Sequence, residues 1–202
     1  MHSYYLLLFI SLAAVVSCNP EKDMPQDGDI VFYESTSPQS PVIKLAQHSK
    51  WTHCGIVFHI GKTTYVYEAV GTVKYTPLKD WIAKGKNGVY RVRRLKRPLS
   101  KEAIAKMKAI GEGYKGKHYD TLFQWSDNKM YCSELVWKIY NQGAGIELCR
   151  PSHFSDYPIN LPPVKKLIKT RYGKSFNPVE SIVSPYALFK SNMLKEVTYV
   201  GL

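Results

Sequence analysis

The feature that most restricts the fold is a pair of strand-forming runs, residues 52–60 and 63–70, separated only by Gly61-Lys62. Both runs are rich in β-branched and aromatic residues. A two-residue spacer that contains glycine, placed between such runs, predicts a tight antiparallel hairpin. The centre of the chain is therefore expected to form part of an antiparallel sheet.

The register of this hairpin predicts that a histidine and a glutamate share one face of the sheet. With a two-residue loop, Gly55 lies opposite Glu68 and His53 lies opposite Val70. His53 and Glu68 are then diagonal neighbours with Cα atoms about 7–8 Å apart, a distance at which a glutamate reaches an imidazole nitrogen. Because Gly55 has no side chain, we expect open space between them. A three-residue loop would break the arrangement, so the prediction depends on the register.

Short strands and helices account for most of the remaining chain. Hydrophobic residues make up 45% and charged residues 22%, a globular composition. Residues 150–184 are proline-rich and basic, with weak patterning, and are expected to form an irregular surface excursion. The pattern predicts one α+β domain over residues 26–202. The other predicted strands are 30–33, 72–76, 89–95 and 194–200, and the predicted helices are 41–47, 78–84, 100–110 and 131–141, with a further helical turn from Ser184.

Cys132 is the strongest candidate for a reactive side chain. It lies at the start of the helix predicted over 131–141, in the sequence Tyr-Cys-Ser-Glu-Leu. The unpaired N–H groups and the dipole of a helix N-terminus favour an anion, so the pKa of this thiol is expected to fall. The alternative is a buried structural cysteine, because cysteine is also a common small core residue.

His53 and Glu68 supply the other groups that a cysteine nucleophile needs. A histidine takes the thiol proton and later protonates the leaving group, and a carboxylate orients the imidazole. The backbone N–H of Cys132 is a candidate donor to the oxyanion. A single sequence does not show that Cys132 approaches His53, so a satisfied core or surface histidine remains the alternative for His53.

The motifs around these residues resemble those of the YiiX/YebB-like hydrolases, over about residues 26–190. That family is a circularly permuted branch of the papain-like NlpC superfamily of cell-wall peptidases and amidases. The resemblance implies a papain-like core in which a mainly antiparallel sheet packs against the nucleophile helix. It rests on DGDIVF at 27–32, WTHCGIV at 51–57, YVYEA at 65–69, GKHYD at 116–120, YCSELVW at 131–137 and SPY at 184–186.

The resemblance also implies a role for each candidate residue. Cys132 becomes the nucleophile, His53 the base and Glu68 the orienting residue, in the permuted order with the histidine first. Three further residues, on or next to the loop before the helix, are candidates for lining the pocket or donating to the oxyanion, with an ordinary structural turn as the alternative: Tyr119, Asp120 and Tyr131.

Cys54 departs from the apolar residue that is more usual after the family's histidine. Strand alternation places it on the face opposite His53, so it is expected to leave the mechanism untouched. Together with His53 and His59 it lacks the spacing of usual zinc sites, and no metal or cofactor is expected. Four cysteines are too few for a disulfide scaffold. Cys54 and Cys149 are either a pair or two separate buried thiols.

The N-terminus predicts export to the bacterial cell envelope. Residues 4–16 are apolar but shorter than the roughly 20 residues that a spanning helix needs. They are followed by Ser17 and Cys18, which resembles a lipoprotein signal that leaves a lipidated cysteine at the new N-terminus. Residues 1–17 are then a signal peptide and 18–25 a tether. Because residues 1–3 lack lysine and arginine, an ordinary secretory signal with a chance cysteine remains the alternative.

The charge balance indicates anionic surroundings. The net charge is +12, which favours cell-wall polymer or a membrane surface, and a lipid anchor would add to that attraction. The basic run over 165–171 is expected to be a solvated face that helps this guidance. No nucleic-acid motif accompanies the charge, so nucleic acid is not an expected partner.

These observations lead to three functional hypotheses. The first is an envelope cysteine hydrolase, a peptidase or amidase that cleaves amide bonds in peptidoglycan-derived peptides through a thioester. The second is a lipid acyltransferase or a lipid amide or ester hydrolase, since related permuted enzymes include the lecithin retinol acyltransferase group. The third is a ligand-binding lipoprotein without catalytic activity. The fold alone does not choose among their substrates.

Overall fold

The computed structural model of the chain describes residues 24–197, so the predicted signal peptide, Cys18 and most of the tether lie outside the described residues. The strands are β1 (Ile30–Ser35), β2 (His53–Ile60), β3 (Thr63–Val70), β4 (Thr72–Pro77), β5 (Gly85–Leu95), β6 (Ser152–His153), β7 (Ser181–Ile182) and β8 (Leu194–Val197). The helices are α1 (Ser40–Gln47), α2 (Leu78–Lys84), α3 (Lys101–Tyr114), α4 (Cys132–Ala144), α5 (Pro162–Tyr172) and α6 (Pro185–Phe189).

Six strands form one sheet in the order β4-β3-β2-β1-β5-β8, and every neighbouring pair is antiparallel. The short strands β6 and β7 form a separate pair. The predicted α+β class with a mainly antiparallel sheet is confirmed. In the described part of the chain, no helix has both the length and the apolar character needed to cross a membrane.

The two faces of the sheet are buried by different helices. Helix α4 packs on β2 and β3 and completes a core that contains Ile56 and Phe58 of β2. On the opposite face, α2 covers Val57 with Leu78 and Trp81. Successive residues of β2 therefore point into two separate cores, as strand alternation requires.

The register predicted for the central hairpin is confirmed. Ile60 pairs with Thr63 and Ile56 with Tyr67, so the loop consists of Gly61 and Lys62. The expectation of open space beside Gly55 is wrong. A Cβ atom at this position would lie 2.4 Å from Val66 Cγ1 and 2.9 Å from the Tyr67 carbonyl oxygen. The glycine is needed because the neighbouring strand fills the space.

Helix α4 carries the predicted buried face, with Leu135, Val136, Ile139 and Tyr140 all fully buried. The helix continues to Ala144, three residues beyond the predicted end, because the left-handed residue that terminates it is Gly145. Gly143 is used instead for packing, since a Cβ atom there would lie 2.6 Å from the Cα atom of Met107 in α3.

Residues 150–184 are not an irregular excursion, and that prediction is wrong. They contain the eleven-residue helix α5, which begins with Pro162 and Pro163 in its first turn. Its apolar residues Val164, Leu167 and Ile168 lie three and four positions apart and face a pocket against α1. This spacing is a helical signal, but the basic residues between these positions obscured it.

Candidate active site

His53, the first residue of β2, and Glu68 of β3 form a buried ion pair. The His53 Nε2 atom lies 2.6 Å from Glu68 Oε2, and both side chains are buried. The contact follows from the hairpin register, which places the two residues diagonally on one face of the sheet. The predicted proximity of His53 and Glu68 is therefore confirmed.

Three further side chains hold the Glu68 carboxylate. Thr76 donates a hydrogen bond at 2.7 Å, Trp81 Nε1 donates one at 3.0 Å, and Lys84 Nζ lies at 3.4 Å. Burial raises the pKa of Glu68, but the bonds from His53 and Thr76 and the charge of Lys84 outweigh burial and lower the pKa to about 2. An ionised carboxylate only accepts, so Nε2 of His53 carries the hydrogen in this bond.

The orientation of the His53 ring is set by aromatic neighbours. The Tyr33 ring stacks on it with centroids 4.8 Å apart and planes inclined by 28°, and Trp81 lies beyond, 6.3 Å from the imidazole. Sequence reasoning missed these residues and Thr76. The position of Thr76 could have been predicted from strand pairing. Glu68 pairs with Lys74 of β4, so Thr76, two residues further along β4, lies diagonally from Glu68 on the same face. Nothing in the sequence placed Tyr33 or Trp81 at the site.

Cys132 is the first residue of α4, and its sulfur interacts with the His53 imidazole. The hydrogen bond from Cys54 is the largest cause that lowers the pKa of Cys132 well below its ordinary value; burial opposes it and His53 adds to it. Burial lowers the pKa of His53, but the Cys132 thiolate and Glu68 outweigh burial and raise the pKa to about 9. Both shifts favour a thiolate paired with an imidazolium.

Cys54 belongs to this site, and the expectation that it leaves the chemistry untouched is wrong. It points to the α4 face of the sheet, as alternation predicted. The start of α4 lies close to that face, so the Cys54 side chain and backbone N–H both bond to the Cys132 sulfur. Burial raises the pKa of Cys54, so its thiol stays protonated and donates. The Cys132 sulfur therefore interacts with His53 from one face of β2 and with Cys54 from the other.

Cys132 lines a small cavity of about 50 Å³. This cavity shares lining residues with a second one of about 100 Å³, which we call the α1–α5 pocket. The shared residues are Ile43, Phe123, Ile182 and Ser184. The rest of the α1–α5 pocket is lined mainly by hydrocarbon and aromatic side chains: Val42, Ala46, Gln47, Phe154, Tyr157, Ile159, Val164, Leu167, Ile168, Arg171 and Tyr172.

The three candidates on or next to the loop before α4 differ in their surroundings. Tyr119 and Tyr131 line the Cys132 cavity. Tyr119 is hydrogen-bonded through its hydroxyl to Gln39, and the Tyr131 hydroxyl accepts the Val183 N–H at 3.1 Å. The Asp120 carboxylate accepts two backbone N–H groups of its own loop, at 2.8 and 2.7 Å. Their roles toward a substrate stay predictions.

The structure gives no donor set for a metal over residues 24–197, where no group of three or more His, Cys, Asp or Glu side chains has a suitable arrangement. His59 pairs instead with Asp27, through Nδ1 and Oδ1 at 2.7 Å. Cys54 and Cys149 are both free thiols in this structure.

Comparison with known proteins agrees with the geometry. The model of a family described as permuted papain-like amidase enzymes, YaeF/YiiX, C92 family, matches residues 24–198. An uncharacterized protein, YiiX, from Escherichia coli strain K12 is 43% identical over 191 residues, which cover 95% of this chain and 94% of that protein. The crystal structure of metalloprotein yiiX from Escherichia coli O157:H7 superposes with a TM-score of 0.84 at 44% identity, over 87% of this chain and 98% of that chain.

Proposed function

The chain belongs to the permuted papain-like amidase family of YaeF and YiiX, and we propose that it hydrolyses amide bonds with Cys132 as nucleophile, His53 as acid and base, and Glu68 as the orienting residue. The observation that carries this proposal is the buried His53–Glu68 pair, together with the interaction between the Cys132 sulfur and the His53 ring. Thr76 and Trp81 are positioning residues that act through Glu68.

The reaction begins with attack of the Cys132 thiolate on the carbonyl carbon. A carbon–sulfur bond forms and the carbonyl electrons move to oxygen. When this intermediate collapses, the carbon–nitrogen bond breaks and the amine leaves with the proton of the His53 imidazolium. The thioester remains on Cys132. His53, now neutral, takes a proton from water, the resulting hydroxide attacks the thioester, and Cys132 leaves as a thiolate beside a protonated His53.

The developing oxyanion needs hydrogen-bond donors near the Cys132 sulfur. The backbone N–H of Cys132 lies at the N-terminus of α4, where the first N–H groups have no partner within the helix. The Tyr119 hydroxyl is the second donor that we propose, because its side chain lines the same cavity and is held by Gln39. Burial raises the pKa of Tyr119, which keeps its hydroxyl protonated.

The lining of the α1–α5 pocket indicates which class of amide the site binds. A peptidoglycan-derived peptide was the first expectation, and such a peptide is polar. The pocket that adjoins the Cys132 cavity is instead lined mainly by hydrocarbon, and apolar ligands are the ones that such a lining binds. This observation favours the second hypothesis, an amide or ester that carries a hydrocarbon chain, with the chain in the α1–α5 pocket and the scissile carbonyl at Cys132.

The solved relative is described as a metalloprotein. The donor groups of this chain do not match that description over residues 24–197, since no set of three or more ligating side chains is arranged for a metal. The proposed steps therefore run through the side chains alone.

We propose the cell envelope as the place of action, with the chain anchored through a lipidated Cys18. The support is the apolar run over 4–16 that ends before Cys18, and the net charge of +12, which suits an anionic wall or membrane. Growth with an alkyne-bearing fatty acid tests the anchor. Label should enter the wild-type chain and be lost in Cys18→Ser, and unlabelled wild-type protein would refute the anchor.

The catalytic proposal is tested with three amides of one fluorogenic amine, bearing an acetyl group, a dodecanoyl group or a wall-derived peptide. The wild-type protein should release the amine fastest from the dodecanoyl amide. Cys132→Ala should lose hydrolysis and labelling by an electrophilic thiol probe, while Cys149→Ala, the matched control, should keep both. Equal labelling of the wild type and Cys132→Ala would refute the nucleophile. Faster release from the wall peptide would return the substrate to the first hypothesis, and binding without any hydrolysis would favour the third.

A further inference from the structure

The Cys54 thiol is a buried nucleophile that the proposed hydrolysis does not use for bond making. It is fully buried in the core between the sheet and α4, the same core that contains Cys132, and its side chain interacts with the Cys132 sulfur. Cys132 lines a cavity, whereas Cys54 lines neither that cavity nor the α1–α5 pocket. A small oxidant therefore reaches Cys132 first, and the Cys54 thiol is then available to react with the oxidised sulfur.

We propose that Cys54 is the resolving cysteine of a reversible oxidative modification of Cys132, so that a peroxide switches the enzyme off by forming a Cys54–Cys132 disulfide. This inference concerns regulation of the proposed catalytic site and rests on the proposed function for the reactivity of Cys132. Its geometric basis is the placement of both thiols in the one buried core where α4 packs on β2.

The modification proceeds in two steps. The Cys132 thiolate attacks one oxygen of hydrogen peroxide, the oxygen–oxygen bond breaks, and hydroxide leaves, so that sulfur is oxidised to a sulfenic acid and the peroxide is reduced. The Cys54 sulfur then attacks the Cys132 sulfur, and the sulfenic hydroxyl leaves as water with the proton of the Cys54 thiol. The hydroxide takes the proton of the His53 imidazolium, so that a disulfide and two molecules of water are the products, and a dithiol reductant restores both thiols.

The arrangement explains why the partner is Cys54. The disulfide joins two side chains that lie in one buried core and interact with each other. Cys149 is the remaining free thiol of the described residues and is partly exposed; it interacts with Cys54, and it is not among the main groups that shift the pKa of Cys132. The disulfide removes the nucleophile from the site. It also prevents further oxidation of Cys132 to the sulfinic acid, which a dithiol does not reverse.

The test uses purified wild type, Cys54→Ser and Cys149→Ser, each compared with its own untreated amide hydrolysis. After peroxide treatment, the wild type should lose hydrolysis and regain it with dithiothreitol, and peptide mapping should find a Cys54–Cys132 disulfide. Cys149→Ser should behave like the wild type. Cys54→Ser should lose hydrolysis without recovery, and mass spectrometry should find Cys132 as sulfinic acid.

Three results would overturn the proposal: full recovery of Cys54→Ser with dithiothreitol, a mapped Cys54–Cys149 disulfide in its place, or oxidised wild type with no disulfide at all. Because mapping reads the disulfide without any substrate, it stays informative if the protein hydrolyses no amide. In that case a Cys54–Cys132 disulfide would support the redox pair while the proposed function failed.

Discussion

The Nε2 atom of His53 lies 2.6 Å from the ionised carboxylate of Glu68, and this contact decides which ring nitrogen faces the reaction. Since Nε2 is committed to Glu68, Nδ1 is the nitrogen that exchanges a proton with sulfur. The charge of the carboxylate also stabilises the imidazolium. One contact therefore sets both the tautomer and the protonation of the base.

Replacement Glu68→Gln should move the alkaline limit of activity to lower pH. The imidazolium loses its proton as pH rises through the pKa of His53. Burial lowers this pKa, but Cys132 and Glu68 raise it to about 9. Without the Glu68 charge that pKa falls, and hydrolysis should drop by at least about tenfold. The measurement is the rate of amide hydrolysis against pH. Glu112→Gln, at an exposed ion pair on α3, is the control, and an unshifted alkaline limit in Glu68→Gln would contradict the role of Glu68.

Replacement Cys54→Ala should raise the pKa of the Cys132 thiol, because the largest cause that lowers it is the hydrogen bond from Cys54. The acid limit of alkylation by iodoacetamide should then move to higher pH. Cys54→Ser keeps a hydroxyl donor in nearly the same place and should show a smaller movement. If the alanine variant and the wild type share the same acid limit, Cys54 does not stabilise the thiolate.

The Glu68 carboxylate should also make the fold sensitive to acid. Its pKa is lowered from 4.5 in the unfolded chain to about 2 in the fold, where burial opposes the shift and His53 and Thr76 cause it. Its contribution to stability is complete above pH 4.5 and is lost as pH falls toward 2; the linkage is worth up to about 3 kcal/mol. The free energy of unfolding, measured with urea at about pH 6, 4 and 3, should fall more steeply with decreasing pH in the wild type than in Glu68→Gln. Parallel curves would mean that the shift is absent.

Two helical glycines should respond to alanine with opposite signs. At Gly143 of α4 an added Cβ atom would lie 2.6 Å from the Met107 Cα atom, a backbone contact that cannot move cheaply. Gly143→Ala should therefore destabilise the protein by about 1–3 kcal/mol. At Gly113 of α3 nothing lies within 4 Å, so Gly113→Ala should stabilise it slightly, by up to about 0.5 kcal/mol. Thermal unfolding of both variants measures the difference, and a neutral Gly143→Ala would show that α3 and α4 are not in close contact.

Much of the sheet could be predicted because its signals are local. The spacer of Gly61 and Lys62 sets the register of β2 and β3, and that register alone places Glu68 beside His53. The buried face of α4 follows from residues three and four positions apart, such as Leu135 and Ile139. In helix α5 the same spacing was present, but charged residues between the apolar ones obscured it.

The amino-acid sequence by itself determined the strand register, the helix that begins at Cys132 and the chemical types at the site, because these depend on residues that are near neighbours in the chain. Only the tertiary structure decided that α4 brings Cys132 against His53 and Cys54 together, and that α1 and α5 enclose an apolar pocket next to it. These contacts join elements far apart in the chain. Their geometry is set by how whole helices pack on the sheet, and spacing along the sequence does not encode the distance between packed surfaces.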